Sequence, residues 1–191
     1  MDLDLRNKSA LVCGASQGLG FAIAEALARE GCRVGLLARN ALKLEGHVRD
    51  LGQHGLEAVA LPADMGNWTE VEAALKRFGM PDILVNNSGG PPPVDVTRVD
   101  PDLWRRQFET MVLNQMRLTE AVLPHMRARR FGRILSVAST SIVEPFASLA
   151  ISNSLRAALA GWMKTLSGQV AADGVTVNML LPGSFATERI D

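Results

Sequence analysis

The chain alternates short apolar runs with longer amphipathic stretches along most of its length. The short runs are rich in Val, Leu, Ile and Ala, as in buried strands, and the longer stretches repeat apolar residues at helical spacing. The predicted strands cover 10–13, 33–38, 58–62, 83–86, 133–138 and 176–181, and the predicted helices cover 18–30, 41–51, 68–78, 101–129 and 149–172. This alternation predicts a parallel sheet covered by helices on both faces.

Capping residues mark two of the helix starts. Asn67 precedes the third predicted helix, and Glu70 follows it at the spacing of a capping box. Asp100 stands directly before Pro101, which favours a helix that begins there. Six strands with crossover helices suit the order 3-2-1-4-5-6, so we expect an α/β fold with a doubly wound parallel sheet of Rossmann type.

A glycine-rich turn joins the first predicted strand to the first predicted helix. Its glycines are Gly14, Gly18 and Gly20, with Ser16 and Leu19 between them. Glycine removes the Cβ that would keep a pyrophosphate from the backbone, and the helix N-terminus supplies N–H groups and a positive dipole end. A packing turn is the alternative. The position between strand and helix favours a dinucleotide-binding turn.

Motifs along nearly the whole chain resemble the short-chain dehydrogenase/reductase family. The glycine turn is similar to the family's T-G-x-x-x-G-I-G, with Cys13 at the Thr position. Three later segments also match: Ala63-Asp64-Met65, Asn86-Asn87-Ser88-Gly89, and Pro182-Gly183-Ser184-Phe185-Ala186-Thr187. The resemblance implies a nicotinamide cofactor held by Gly14, Ser16, Gly18, Leu19, Gly20, Arg39, Asp64, Met65, Asn87, Ser88, Gly89, Arg156, Pro182, Gly183 and Thr187.

The residues after the second strand bear on the choice of cofactor. An acidic residue there would bind the ribose 2′-hydroxyl of NAD and repel a 2′-phosphate. The segment 37–40 has no acidic residue and carries Arg39, whose guanidinium suits a phosphate. We therefore expect NADP(H) to be favoured over NAD(H), the alternative being that Arg39 is an exposed arginine at a helix start.

The catalytic positions depart from the family pattern of Ser, Tyr, Lys and Asn. Ser139 matches the Ser, whereas Ser152 and Arg156 stand at the Tyr and Lys positions, and the sequence has no tyrosine. Met111 falls at the Asn position, and Asn114 lies one helical turn later. The segment Ser152-Asn153-Ser154-Leu155-Arg156 resembles a divergent 3-oxoacyl-carrier-protein reductase-like group with S-N-x-x-R in place of Y-x-x-x-K.

Two functional hypotheses follow from these substitutions. A serine hydroxyl and an arginine are poor proton donors near neutral pH, but Arg156 can stabilise an oxyanion and hold the cofactor ribose. The first hypothesis is an NADP(H)-dependent oxidoreductase of carbonyl and alcohol groups, with Ser139, Ser152, Arg156 and Asn114 in its site. Glu144 is a weaker candidate for a substitute acid. The alternative is a cofactor-binding protein or partner subunit with little or no turnover.

Composition and charge narrow the choice of partners. The 20 basic residues balance the 20 acidic ones, so no global field attracts nucleic acid or an anionic membrane. No apolar run approaches the roughly 18 residues of a membrane span, and the N-terminus has no secretory pattern. We expect a cytoplasmic protein with a small-molecule substrate. The family continues with a lid and a seventh strand that these 191 residues do not include, so we expect residues 1–191 to form one dinucleotide-binding domain without them.

The resemblance to the short-chain dehydrogenase/reductase family also implies self-association, because that family pairs its subunits through two long central helices and this chain has a long predicted fourth helix. Its apolar positions Met111, Leu118, Val122 and Met126 suggest a contact face between subunits, and we expect a homodimer or homotetramer. The remaining candidates carry no chemistry of their own. We expect buried, reduced cysteines, no metal site, and surface histidines at His47, His54 and His125.

Overall fold

The computed structural model describes residues 3–183 and residue 185. Within them the strands are β1 (Ser9–Cys13), β2 (Arg33–Ala38), β3 (Ala58–Pro62), β4 (Ile83–Asn86), β5 (Gly132–Val137) and β6 (Val175–Leu180). The α-helices are α1 (Gly18–Arg29), α2 (Ala41–Gln53), α3 (Trp68–Phe78), α4 (Pro101–Phe108), α5 (Asn114–Ala128) and α6 (Ala150–Val170). Short 3₁₀ turns cover Thr140–Ile142 and Ala171–Asp173. Each predicted strand lies within one residue of its observed bounds.

The strands form one parallel sheet in the order β3-β2-β1-β4-β5-β6. In its centre, Ala10 of β1 pairs with Val34 of β2 on one side and with Ile83 of β4 on the other. This confirms the predicted doubly wound architecture. The strand order reverses between β1 and β4, and ligands of such sheets bind at the carboxyl ends of the strands beside that point.

Two apolar cores lie on opposite faces of the sheet. One is built by α1 and α2, whose Ala24 and Leu44 pack under β1 and β2. The other is built by α3, α5 and α6. The sequence prediction of an intersubunit stripe on the fourth helix is wrong in its residues, because all four are buried within this chain: Met111, Leu118, Val122 and Met126.

The predicted helix 101–129 is interrupted. A π-helical turn, Glu109–Leu113, separates α4 from α5. A π turn closes i to i+5 hydrogen bonds, so it inserts a residue that 3.6-residue periodicity does not reveal. The start of α4 is as predicted: the Asp100 carboxylate accepts hydrogen bonds from the backbone N–H groups of Asp102 and Leu103, at 3.0 and 3.1 Å.

The start of α3 differs from a capping box. Asn67 caps the helix by accepting from the Thr69 N–H at 3.2 Å. Glu70, however, binds the Asn67 side-chain amide, and its other oxygen accepts from the Asp64 N–H at 2.8 Å. Glu70 thus links the start of α3 to the loop after β3 through a hydrogen bond. None of the helices in the described part of the chain is long and apolar enough to cross a membrane.

Candidate functional site

The glycine turn between β1 and α1 forms a tight backbone cradle. Gly14 and Gly18 have φ values of +64° and +56°, a region that favours glycine. A Cβ on Gly14 would lie 2.7 Å from the Asn87 side-chain nitrogen, and one on Gly20 would collide with the Gly14 carbonyl. Only glycine fits these positions. The open backbone at the N-terminus of α1 therefore fits a phosphate group, as the sequence predicts.

Hydrogen bonds to the backbone of β2 and of the segment after β4 fix the position of this turn. The Ala15 N–H donates to the Leu37 carbonyl of β2 at 3.2 Å. The Cys13 thiol is fully buried, and burial raises its pKa to about 12 although the Asn87 backbone N–H donates to it. Cys13 is thus a neutral thiol that joins the end of β1 to the segment after β4.

The start of α2 carries basic side chains beside the turn. Arg39 is exposed directly after β2. Asn40 caps α2 by accepting from the Lys43 N–H at 3.0 Å, and the Lys43 ammonium donates to the Gln17 side chain at 2.8 Å. No carboxylate occurs in the segment 37–40, so this corner of the cradle is positively charged.

The loops after β3 and β4 border the same cradle. The Asp64 carboxylate accepts from the Gly66 N–H at 2.8 Å, and Met65 beside it is buried. After β4, the buried Ser88 hydroxyl accepts from the Gln115 side-chain amide at 3.2 Å. Sequence reasoning did not single out Gln115. Its partner is 27 positions away, and no local pattern joins the two.

Arg156 links Ser152 of α6 to the end of β5. Its Nε donates to the Ser152 hydroxyl oxygen at 3.2 Å, and its Nη1 donates to the Val137 carbonyl at 2.8 Å. Two residues after Val137, the Ser139 hydroxyl oxygen accepts from the Ser141 N–H at 3.1 Å. Both serine oxygens thus accept a bond from the protein, which leaves each O–H hydrogen to donate elsewhere.

Asn114, the first residue of α5, is fully buried. Its side-chain amide donates to the Met65 carbonyl at 2.8 Å, and its oxygen accepts from Arg117 at 3.4 Å. Met111, at the position where the resemblance implies an asparagine, packs in an apolar cluster with Ile151 of α6. The π turn therefore presents Met111 toward α6, and Asn114, the first residue of α5, is directed toward the loop after β3.

The remaining candidates are placed as follows. The side chain of Glu144 is exposed, and its backbone N–H donates to Thr140. The Pro182 carbonyl accepts from the Thr140 N–H at 3.2 Å, which holds the Pro-Gly segment against the turn after β5. Gly183 follows Pro182, and Thr187 lies outside the described residues. The part of the chain that the structure describes has no cluster of metal-ligating side chains.

A family model described as short chain dehydrogenase matches residues 8–190. The chain belongs to this family. The match includes β1 to β6, the glycine turn and the positions of Ser139, Ser152 and Arg156. Short chain dehydrogenases are oxidoreductases, and the relatives described next carry that name or the name of a reductase.

Two curated relatives illustrate the similarity. The 3-oxoacyl-(acyl-carrier-protein) reductase FabG of Vibrio cholerae is 36% identical over 190 residues, which cover 97% of this chain and 77% of the reductase. The uncharacterized oxidoreductase YvaG of Bacillus subtilis is 32% identical over 193 residues, covering 100% of this chain and 73% of the relative.

Solved structures give the same result. L-sorbose reductase from Gluconobacter frateurii, complexed with NADPH and L-sorbose, has a TM-score of 0.94 and 34% identity, covering 99% of this chain and 74% of the reductase. The 3-ketoacyl-(acyl-carrier-protein) reductase from Brucella melitensis, complexed with NADH, has a TM-score of 0.86 and 30% identity, covering 96% of this chain and 78% of the reductase. Nicotinamide cofactors of both kinds thus occur among short chain dehydrogenases of this shape.

The histidines show where sequence reasoning failed within this short chain dehydrogenase. His54 is exposed, as predicted. His125 is half-buried, with its Nε2 3.8 Å from the buried Asp82 carboxylate. The prediction of a surface side chain is therefore wrong for His125, and it is also wrong for His47, which is half-buried, stacks on Phe21 and approaches the glycine turn. A contact between α2 and a turn 31 positions earlier leaves no local signal in the sequence.

Proposed function

We propose that the chain is an NADP(H)-dependent oxidoreductase that interconverts a carbonyl and an alcohol, similar to 3-oxoacyl reductases, through a site without tyrosine. The observation that carries the proposal is the bridge made by Arg156. It binds Ser152 on α6 and Val137 on β5, two residues before Ser139. Ser152 and Arg156, two of the four predicted catalytic side chains, are therefore joined directly, and Ser139 follows the Val137 contact at the edge of the sheet where family cofactors bind.

The residues that would hold the cofactor fit a dinucleotide. The cradle around Gly14 leaves no room for a Cβ, and Arg39 is exposed beside it with no acidic neighbour in the segment 37–40. Arg39 suits a 2′-phosphate, and the L-sorbose reductase of similar fold was solved with NADPH. Asp64, Met65 and the segment 87–89 would border the adenine and ribose. When bound, the reduced nicotinamide supplies a hydride.

The protein's own residues would polarise the substrate carbonyl. The hydroxyl oxygens of Ser139 and Ser152 each accept an N–H bond, so their hydrogens can be donated to a substrate oxygen. The Arg156 guanidinium against Ser152 is a fixed positive charge that favours the negative charge developing on that oxygen. Neither a serine hydroxyl nor the Arg156 guanidinium is a good acid near neutral pH. The proton that the substrate oxygen takes up therefore comes from water.

The second candidate is a cofactor-binding protein with little or no turnover. The observation that favours it is the absence of tyrosine from the whole sequence, together with Met111 at the family's Asn position. In this case Arg156 would serve to fasten α6 to β5, and the cofactor cradle would remain the functional part of the molecule.

One series of measurements separates the two candidates. NADPH and NADH are titrated against the protein by fluorescence, and ketones and alcohols, including 3-oxoacyl thioesters and keto sugars, are then screened with the tighter-binding cofactor. Preferential binding of NADPH with turnover supports the oxidoreductase. Binding without turnover of any substrate supports the second candidate, and binding of neither cofactor contradicts both.

Three further expectations belong to this proposal. We propose that residues 1–191 act as one dinucleotide-binding domain, that the protein is cytoplasmic, and that it forms a homodimer or homotetramer. Because the stripe on the fourth helix is buried within the chain, the contact must use another face. Light scattering at micromolar concentration tests the assembly, and a monomer would contradict it.

A further inference from the structure

His47 connects α2 to the phosphate-binding turn. Its Nε2 lies 3.0 Å from the Ser16 carbonyl oxygen, and its ring stacks on Phe21 of α1 with centroids 3.6 Å apart and planes 15° apart. A carbonyl oxygen only accepts, so Nε2 carries the hydrogen and donates it. The imidazole is thus held on two sides, by a hydrogen bond to the turn and by stacking on the helix that the turn begins.

The direction of that bond bears on ligand binding. A trans peptide is planar, and its C=O and N–H point in opposite directions. By drawing the Ser16 carbonyl toward α2, His47 directs the N–H of Gln17 away from α2. Gln17 is the N-cap of α1 and immediately precedes Gly18. Its N–H belongs to the group of backbone donors with which such turns bind phosphate.

We propose that His47 is a positioning residue of the cofactor site, which orients the 16–17 peptide of the turn for the pyrophosphate of a nicotinamide dinucleotide. The proposal rests on the proposed function, because it requires the cradle to bind such a cofactor. It adds a residue outside the glycine motif. The pyrophosphate is common to NADPH and NADH, so His47 contributes equally to the binding of both, whereas Arg39 acts on the 2′-phosphate alone.

Two substitutions divide the hydrogen bond from the packing. His47→Phe keeps an aromatic ring for Phe21 but removes the donor to Ser16. His47→Gln removes the ring but keeps an amide N–H that can reach the carbonyl. His54→Phe is the matched control, because His54 is an exposed histidine at the end of the same helix, with its ring nitrogen on the Asp50 carbonyl. Phe21→Leu removes the stacking while leaving the donor in place.

The experiment measures dissociation constants for NADPH and NADH by fluorescence titration, with the melting temperature of each variant as the measure of folding. His47→Phe should raise the dissociation constants of both cofactors by the same factor, about three- to tenfold, which corresponds to the loss of one net hydrogen bond. His47→Gln should restore most of the loss, Phe21→Leu should have a smaller effect, and His54→Phe should have none.

Unchanged affinities in a folded His47→Phe protein would overturn the proposal. So would a loss in His47→Gln as large as in His47→Phe, since the ring and not the donor would then matter. If the unmodified protein binds both cofactors equally and His47→Phe weakens both, the NADP preference fails while the role of His47 stands. If it binds neither, the proposed function fails and this role with it.

Discussion

Two parts of the carboxyl edge of the sheet, the cofactor end around β1 and β2 and the catalytic end around β5 and α6, differ in how they relate to the family pattern. Around β1 and β2 the glycine turn is kept, and backbone clashes exclude any other residue at Gly14 and Gly20. Around β5 and α6 the fold is kept, but Ser152 and Arg156 stand where the resemblance implies a tyrosine and a lysine. Backbone geometry thus constrains the first site, whereas side-chain bonds build the second.

The largest expected effect is at the catalytic end. If the protein reduces carbonyls, Arg156→Ala removes the positive charge at the oxyanion and should lower turnover by about 10² to 10³, the usual cost of losing one such donor. Ser152→Ala removes a neutral hydroxyl and should cost much less. Steady-state kinetics of both variants, with circular dichroism to verify folding, measure the difference. Equal losses would refute the assigned order of importance.

The next effect is at the cofactor end. Gly14→Ala places a Cβ 2.7 Å from the Asn87 side chain at a φ of +64°. The substitution should lower the free energy of unfolding by about 1–3 kcal/mol and weaken the binding of both NADPH and NADH. Gly52→Ala is the control. Nothing lies within 4 Å of a Cβ on Gly52 in α2, and the substitution should stabilise the protein by about 0.5–1 kcal/mol. Chemical denaturation measures both changes, and a neutral Gly14→Ala would show that the turn is not tight.

A selective effect is expected at Arg39. Arg39→Ala should make the binding free energy of NADPH less favourable by about 1.5–3 kcal/mol, because a single charge-assisted bond to the 2′-phosphate is lost. The affinity for NADH should be nearly unchanged. Titration of both cofactors against both proteins gives the ratio. Equal affinity of the unmodified protein for the two cofactors would remove the reason for assigning NADP(H).

The smallest effect appears only in alkali. Burial raises the pKa of Cys13 to about 12 from an ordinary value of 9.0, so the unfolded chain loses this proton first as pH rises. The contribution of the protonated Cys13 thiol to the free energy of unfolding is fully present below about pH 9 and is lost between pH 9 and 12. In Cys13→Ala the decline of unfolding free energy over this window should be shallower. Denaturation at pH 8 and pH 10.5 tests this, and identical slopes would contradict the burial argument.

Most of the fold could be predicted because its signals are local. The strand 33–38 and the helix cap at Asp100 appear in the sequence as an apolar run and a residue pair. The π turn Glu109–Leu113 could not be predicted from the sequence. It adds one residue to a helical turn, and apolar residues that repeat about every four positions look the same with or without that residue. Burial of Leu118 and Val122 within the chain also depends on how α5 meets the sheet, which periodicity does not specify.

The site divides in the same way. The glycine turn could be predicted from its motif, because its backbone conformation depends on residues adjacent in sequence, whereas the catalytic role of Ser139 stays a prediction. The contacts of His47 with Ser16 and of Gln115 with Ser88 span 31 and 27 positions, so only the folded chain brings these residues together.

The central claim is that the catalytic end is an altered working site and not a damaged copy of the family's. The most direct test compares carbonyl reduction with NADPH by the unmodified protein and by the double variant Ser152→Tyr with Arg156→Lys, which restores the family's pair. We predict measurable reduction by the unmodified protein and no gain in the variant. No turnover by the unmodified protein together with a large gain in the variant would contradict the claim.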